Sequence, residues 1–169
     1  AAVAAQGLGR AATMLAGKYC WVITNVPYLA RGKQSDTLKD FIEKRHPEGK
    51  NDLATAFLDR CMELCIDGGS SSVVLPQNWL FLTSYTKFRE KLLTQDRWNF
   101  VVKLGGGAEA FDIGPGNITN IAMVALTKGS IYEKSHDIFS DIDSGYFLRG
   151  IDVSEVKSAK AKANELSRC

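Results

Sequence analysis

Apolar positions divide the chain into short β-branched runs separated by segments of helical period. Tyr19 to Thr24 is a β-branched and aromatic run of the kind that forms a buried strand. Ser72 to Pro76, Trp98 to Leu104 and Ile118 to Thr127 repeat that signal. Residues 1–17 read as a helix that stops at Gly17. Asp36 to Arg45 places Leu38, Phe41 and Ile42 on one face and ends before Pro47. Asp52 to Ile66 carries Leu53, Ala56, Phe57, Leu64 and two cysteines, and closes at Asp67-Gly68-Gly69. A further helix falls within Tyr85 to Leu93, with Phe88, Leu92 and Leu93 inward. Loops are expected over Asn25 to Ser35 and from Gly105-Gly106-Gly107 to Asn117. Strands alternating with helices predict an α/β sheet with helices on its faces. The last two strands have no helix between them, which predicts an antiparallel hairpin on one edge. Beyond Lys128 the pattern weakens: Ser135 to Gly145 is polar, and Val153 to Leu166 is a charged helix with little apolar face.

Composition narrows the class. A chain of 169 residues, 45% hydrophobic and 24% charged, has the size of one domain and enough apolar content for a core, which excludes a disordered chain. A net charge of +2 excludes a polybasic nucleic-acid binder, so any DNA contact must come from a local patch. Arg31, Lys33, Lys39, Lys44, Arg45 and Lys50 outnumber Asp36, Asp40, Glu43 and Glu48, and fit either DNA phosphates or a solvated helix face. No apolar run is long enough to span a bilayer, and the Ala-rich start is no signal peptide, which points to the cytoplasm. Cys20, Cys61, Cys65 and Cys169 lack the spacing of a zinc site and read as thiols in a reducing compartment. The opening Ala-Ala-Val-Ala-Ala-Gln, without Met, reads as a helix cut from a longer chain.

Ligands of open α/β sheets gather beyond the carboxyl ends of the strands. Asn25-Val26-Pro27-Tyr28 stands there directly after a strand. The Asn25 amide oxygen and the Val26 carbonyl are two acceptors for both hydrogens of an exocyclic amine. Such an amine is a poor nucleophile until its lone pair is localised on nitrogen. Tyr28 offers a flat face on which a base can stack. On these four residues alone the simpler reading is favoured: a polar strand end followed by a tight proline turn, with Tyr28 as packing. Trp79 and Phe81 suit either the lining of a base pocket or the core. His46, before Pro47, and His136, in a polar stretch, read as surface positions. Gly7-Leu8-Gly9-Arg10-Ala11-Ala12 imitates a dinucleotide turn but follows no strand, so it is rejected as a cofactor loop.

Asn25-Val26-Pro27-Tyr28 resembles the Asn-Pro-Pro-Tyr signature of S-adenosylmethionine-dependent N6-adenine DNA methyltransferases. The resemblance continues from Val22 to Gln34, through Lys50-Asn51-Asp52-Leu53, Gly68-Gly69 and Leu75-Pro76-Gln77-Asn78-Trp79-Leu80-Phe81, to Phe88–Leu93 and the Gly-rich loop ending at Phe111. It covers roughly residues 19–127 in order and is similar to the large adenine methylases of type IIG restriction–modification enzymes and BREX phage-defence systems.

The resemblance implies the later half of a class I, Rossmann-like methyltransferase sheet. Residues 1–127 would form a partial catalytic domain that holds the target base, and 128–169 a connection towards a target-recognition region. Asn25 and the Val26 carbonyl would accept from the adenine N6 amine, and Tyr28 and Phe111 would hold an adenine flipped out of double-stranded DNA. Trp79, Arg31 and Lys33 complete the candidate substrate contacts. S-adenosylmethionine would supply the methyl group from a site mostly before residue 1, with no metal, and restriction or defence subunits would be partners. Val26 departs from the usual proline yet retains its carbonyl. Related enzymes methylate RNA or a protein glutamine, and a degenerate DNA-binding methylase fold is a further alternative.

Overall fold

The computed structural model describes residues 2–106, 119–129 and 148–168. Five strands form one sheet in the order β1-β2-β4-β3-β5: β1 is Tyr19–Asn25, β2 Cys65–Pro76, β3 Asp96–Gly106, β4 Asn120–Lys128 and β5 Arg149–Asp152. The helices are α1 (Ala2–Ala16), α2 (Asp36–Arg45), α3 (Leu53–Leu64), α4 (Thr86–Gln95) and α5 (Ala159–Leu166). β1 lies parallel to β2, whereas β4 runs antiparallel to both β2 and β3. The expected antiparallel hairpin is present as β3–β4. A short fifth strand, which no apolar run announces, pairs parallel to β3 and sets the hairpin one strand in from the edge.

α3 and α4 cover one face of the sheet. Leu58, Trp79, Phe88, Leu92, Val73, Leu75, Val124 and Leu126 form the larger core, each of them at most 1% exposed. Val102, Leu104, Ile121 and Val153 form a second cluster, against which Ile151, Val156 and Leu166 pack. Ser35 caps α2 through its hydroxyl, which accepts from the Leu38 amide at 3.3 Å, and Asp52 caps α3 by accepting from Ala54 at 2.9 Å.

Several expected details differ. β1 is an edge strand, since only β2 pairs with it, and Trp21 and Ile23, two residues apart on one of its faces, are 67% and 74% exposed. α3 ends at Leu64 and β2 begins at Cys65, so Asp67-Gly68-Gly69 lies inside a strand. The register to β1 slips there, from Tyr19↔Cys65 to Trp21↔Ser70, and Gly68 takes a φ of +77° that disfavours any side chain. Gly105 likewise belongs to β3, at φ +82°, where a Cβ would meet the Ser154 carbonyl oxygen at 2.9 Å. Phe41, Phe57 and Leu93 point outwards although their spacing places them on inward faces. Residues 153–158 precede α5 and are not helical, and the polar segment 135–145 lies outside the described residues.

The largest departure is His46. It is buried, and its Nδ1 meets Asp59 Oδ2 at 2.8 Å, while Lys91 Nζ donates to Asp59 Oδ1 at 2.6 Å. This network joins the end of α2 to α3 and α4. Burial would raise the Asp59 carboxyl, but the hydrogen bonds from His46 and Lys91 prevail and hold it below its ordinary value. A depressed carboxylate stabilises the fold above its unfolded pKa, and that contribution is lost as pH falls through the lower folded value. Lys91→Met should therefore cost about 1–3 kcal/mol at neutral pH by leaving a buried carboxylate without its ammonium partner. Urea unfolding across pH 3–7 would show the deficit shrinking below pH ~4; an equal deficit at all pH values would contradict this account.

Candidate active site

β1 and β2 are in register at Asn25↔Val74, so the chain leaves both strands side by side at the carboxyl edge of the sheet. Asn25 is the last residue of β1 and is exposed. Val26 turns back into the core at 4% exposure, and Pro27 faces outwards. Tyr28 is half-buried against both apolar clusters, and its hydroxyl lies 3.3 Å from Asn25 Oδ1, to which it donates. The structure thus brings together an exposed amide oxygen and a phenol ring on one short loop. Burial, with the nearby Asp52 carboxylate, pushes the Tyr28 phenol above its ordinary pKa.

The loop continues into a small ladder with the segment before α3. Leu53 donates its amide to Leu29 O at 3.0 Å, Arg31 donates to Asn51 O at 3.0 Å, and Ala30 bridges Asp52. Gln34 Nε2 also donates to Leu29 O, at 2.9 Å. Beside it, a recess is lined by Asp52, Ala54, Thr55, Pro76, Asn78, Trp79 and Tyr85. Asp52 and Tyr85 were not singled out by their chemistry in the sequence. The available signal for Asp52 was an N-cap aspartate one residue before a helical run.

The remaining candidates separate. Trp79 touches the recess but is a core residue, 1% exposed and edge-on to Phe88 at 5.6 Å between ring centroids. Phe81, by contrast, is 60% exposed. Arg31 pairs with Glu43 at 2.5 Å, and Lys50 reaches the same carboxylate at 2.5 Å. Hydrogen bonds from Lys50 and Arg31 hold the Glu43 carboxyl below its ordinary value. Lys39 pairs with Asp36 at 3.2 Å. Lys33, Lys44 and Arg45 are exposed, with no acidic partner among the described residues. Phe111 and His136 lie outside the described residues.

Two other groups have chemical potential on paper. His46, Asp59 and Glu63 offer ligand atoms within 4.8 Å of one another. The Lys91 ammonium on Asp59 and the Arg60 guanidinium on Glu63 at 2.8 Å already occupy those carboxylates, which makes the cluster an ion-pair network. Cys61 and Cys65 are buried, and burial pushes the Cys61 thiol up to about 11, so neither is poised as a nucleophile. No helix among the described residues is long and apolar enough to cross a membrane.

A mixed sheet whose antiparallel strand lies between two strands of the opposite direction, with a polar loop closing its exposed parallel strand, is a class I methyltransferase fold. A class I S-adenosylmethionine-dependent methyltransferase from Listeria monocytogenes shares it, at TM-score 0.57 and 14% identity over 90% of this chain and 42% of that one. The chain in the DrdV–DNA complex matches at TM-score 0.66 and 15% identity over 96% of this chain and 17% of its own. The chain belongs to the Eco57I restriction-modification methylase family, whose pattern matches residues 8–111. It is 26% identical over 141 residues to the adenine-specific methyltransferase PglX of Lacticaseibacillus casei (strain Zhang), covering 82% of this chain. It is 35% identical over 100 residues to the adenine-specific methyltransferase BrxX of Escherichia coli O9:H4 (strain HS), covering 59% of this chain. The matched stretch spans 12% and 8% of those two proteins.

Tyr28 and Tyr85 are both raised by burial first and by Asp52 second. In an alkaline titration followed by tyrosinate absorbance, both should ionise above the ordinary value of 10.0. Tyr28→Phe should remove absorbance that develops above that value; a loss confined to lower pH would mean that the Tyr28 ring is solvated.

Proposed function

We propose that this chain is the target-base half of an adenine-N6 DNA methyltransferase, a cytoplasmic enzyme of a restriction–modification or phage-defence system. The observation that carries the reading is the placement of Asn25 and Tyr28. An exposed asparagine ends an edge strand, and three residues later a half-buried phenol stands beside it, with its hydroxyl 3.3 Å from the Asn25 amide oxygen. Membership of a methylase family and relatives described as adenine-specific support it.

In this reading the Asn25 Oδ1 and the Val26 carbonyl accept the two N6 hydrogens of an adenine extruded from the duplex. Two acceptors favour a pyramidal nitrogen, so the lone pair leaves the ring and faces the methyl donor. Tyr28 stacks on the extruded base and exchanges its weak 3.3 Å hydrogen bond to Asn25 for that contact. Val26 fits the same role as proline would. Its side chain is a core residue, and only its carbonyl is asked to act. Lys33, Lys44 and Arg45 are the charges left to meet phosphates, since Arg31 is engaged by Glu43.

S-adenosylmethionine supplies an electrophilic methyl group in such enzymes. The described residues do not form its expected glycine turn, because Gly7 and Gly9 lie within α1. Most of the donor site is assigned to the parent protein beyond the matched stretch, which spans 12% and 8% of the two curated relatives. Residues 1–127 are the catalytic portion, and 128–169 lead towards the region that reads the DNA sequence. In the parent protein, the unpaired backbone edge of β1 would meet the cofactor half of the sheet, and Trp21 and Ile23, exposed on one face of β1, would be covered by that half's packing elements.

Expression of the full-length protein in a host without adenine methylation should produce N6-methyladenine detectable by mass spectrometry. Asn25→Ala should abolish it. Tyr28→Ala should lower the rate by about 5- to 150-fold, corresponding to ~1–3 kcal/mol of base stacking. Methylation that persists at full rate in both variants would refute the site.

A further inference from the structure

The loop that carries Asn25 and Tyr28 is held differently on its two sides. Before Tyr28 it is anchored by the β1–β2 ladder and by the buried Val26. After Tyr28 the sheet no longer supports it, and the chain is held by the segment that enters α3. One oxygen makes the junction. Asp52 Oδ1 accepts from the Ala54 amide at 2.9 Å, as a helix cap, and from the Leu29 amide at 3.3 Å. Leu29 is the residue immediately after Tyr28. The neighbouring backbone bonds Leu53 N to Leu29 O and Arg31 N to Asn51 O complete the attachment on both sides of Asp52.

We propose that Asp52 is a positioning residue for the methyl-transfer reaction, holding Tyr28 in place through the Leu29 amide while it caps α3. The inference rests on the methyltransferase reading above. Asp52 does not touch the base. It fixes the backbone from which the stacking ring projects, and a small displacement of that ring misaligns the bound amine. A carboxylate reaches both donors from the N-cap position, and an asparagine has the same reach and the same acceptor oxygen. Serine is also a good cap, but its hydroxyl is attached directly at Cβ and falls short of the second donor. The two roles of Asp52 are therefore separable by substitution.

The test uses the full-length protein with duplex DNA, comparing Asp52→Asn, Asp52→Ser and Asp52→Ala. Asp52→Asn should retain kcat within about threefold, whereas Asp52→Ser and Asp52→Ala should lower it by about 10- to 100-fold with KM for DNA changed much less. With 2-aminopurine at the target position, the Ser and Ala variants should give brighter fluorescence, because the extruded base loses its stacking partner. Hydrogen exchange across residues 26–31 should accelerate in those two variants and not in Asp52→Asn. The Ser variant retains the cap, so an activity loss that merely follows α3 stability would appear in Asp52→Ala alone and would overturn the proposal. Unchanged exchange in Asp52→Ala would overturn it too. If the wild-type protein methylates no DNA, the methyltransferase reading falls. In that case the exchange comparison still decides whether Asp52 holds the Tyr28 loop.

Discussion

The parallel pairing of β1 with β2 is the constraint on which the rest of the arrangement depends. Parallel strands deliver their carboxyl ends to the same edge of a sheet, so Asn25 and Pro76 emerge side by side. The connection between the two strands must then cross a face of the sheet, and α3 makes that crossing. Its N-terminus consequently returns close to the end of β1. Asp52 is thereby placed to satisfy both a free helix amide and a free loop amide, donors that would otherwise lack partners at a partly buried edge. Site geometry and helix capping are one local solution to one hydrogen-bonding requirement.

The helical layer depends on charge as well as on apolar packing. Asp59 is 3% exposed and sits between His46 and Lys91, with Glu48 4.0 Å from Lys91 on the outer side. Removing one partner from such a group is costly because the remaining charge cannot recover its hydration. The network spans α2, α3 and α4, and so it determines how the helices following the site loop are oriented relative to one another.

The loop itself combines rigidity with availability. Val26 is buried and Tyr28 is half-buried, whereas Asn25 and Pro27 face outwards. An alternation of this kind within four residues presents polar chemistry from a backbone whose other side is embedded in the core. The basic residues nearby divide in a similar way. Arg31, Lys39 and Lys50 are neutralised by α2 carboxylates, while Lys33, Lys44 and Arg45 remain in solvent. Counting charges along the chain does not distinguish these two groups, since pairing depends on side chains brought together by folding.

Much was legible from local pattern. β-Branched runs located four of the five described strands, and the position of Asn25 at the end of one of them, with Val26 to Tyr28 in the following loop, followed from residue types. These signals are short-range, resting on side-chain alternation and on what an amide, a carbonyl and a ring can do. Tertiary structure alone decided the exposure of β1, the role of Asp67-Gly68-Gly69 as a strand bulge rather than a helix end, and the burial of His46. It also decided that Arg31 is paired and that Asp52 serves two donors. All but the exposure of β1 depend on a residue distant in the chain: Tyr19, whose carbonyl leaves no room for a side chain at Gly69, Asp59 for His46, Glu43 for Arg31 and Leu29 for Asp52. A sequence specifies which groups require a partner through their polarity and shape. Only the closed fold, which brings distant segments within hydrogen-bonding distance, decides which partner each one receives.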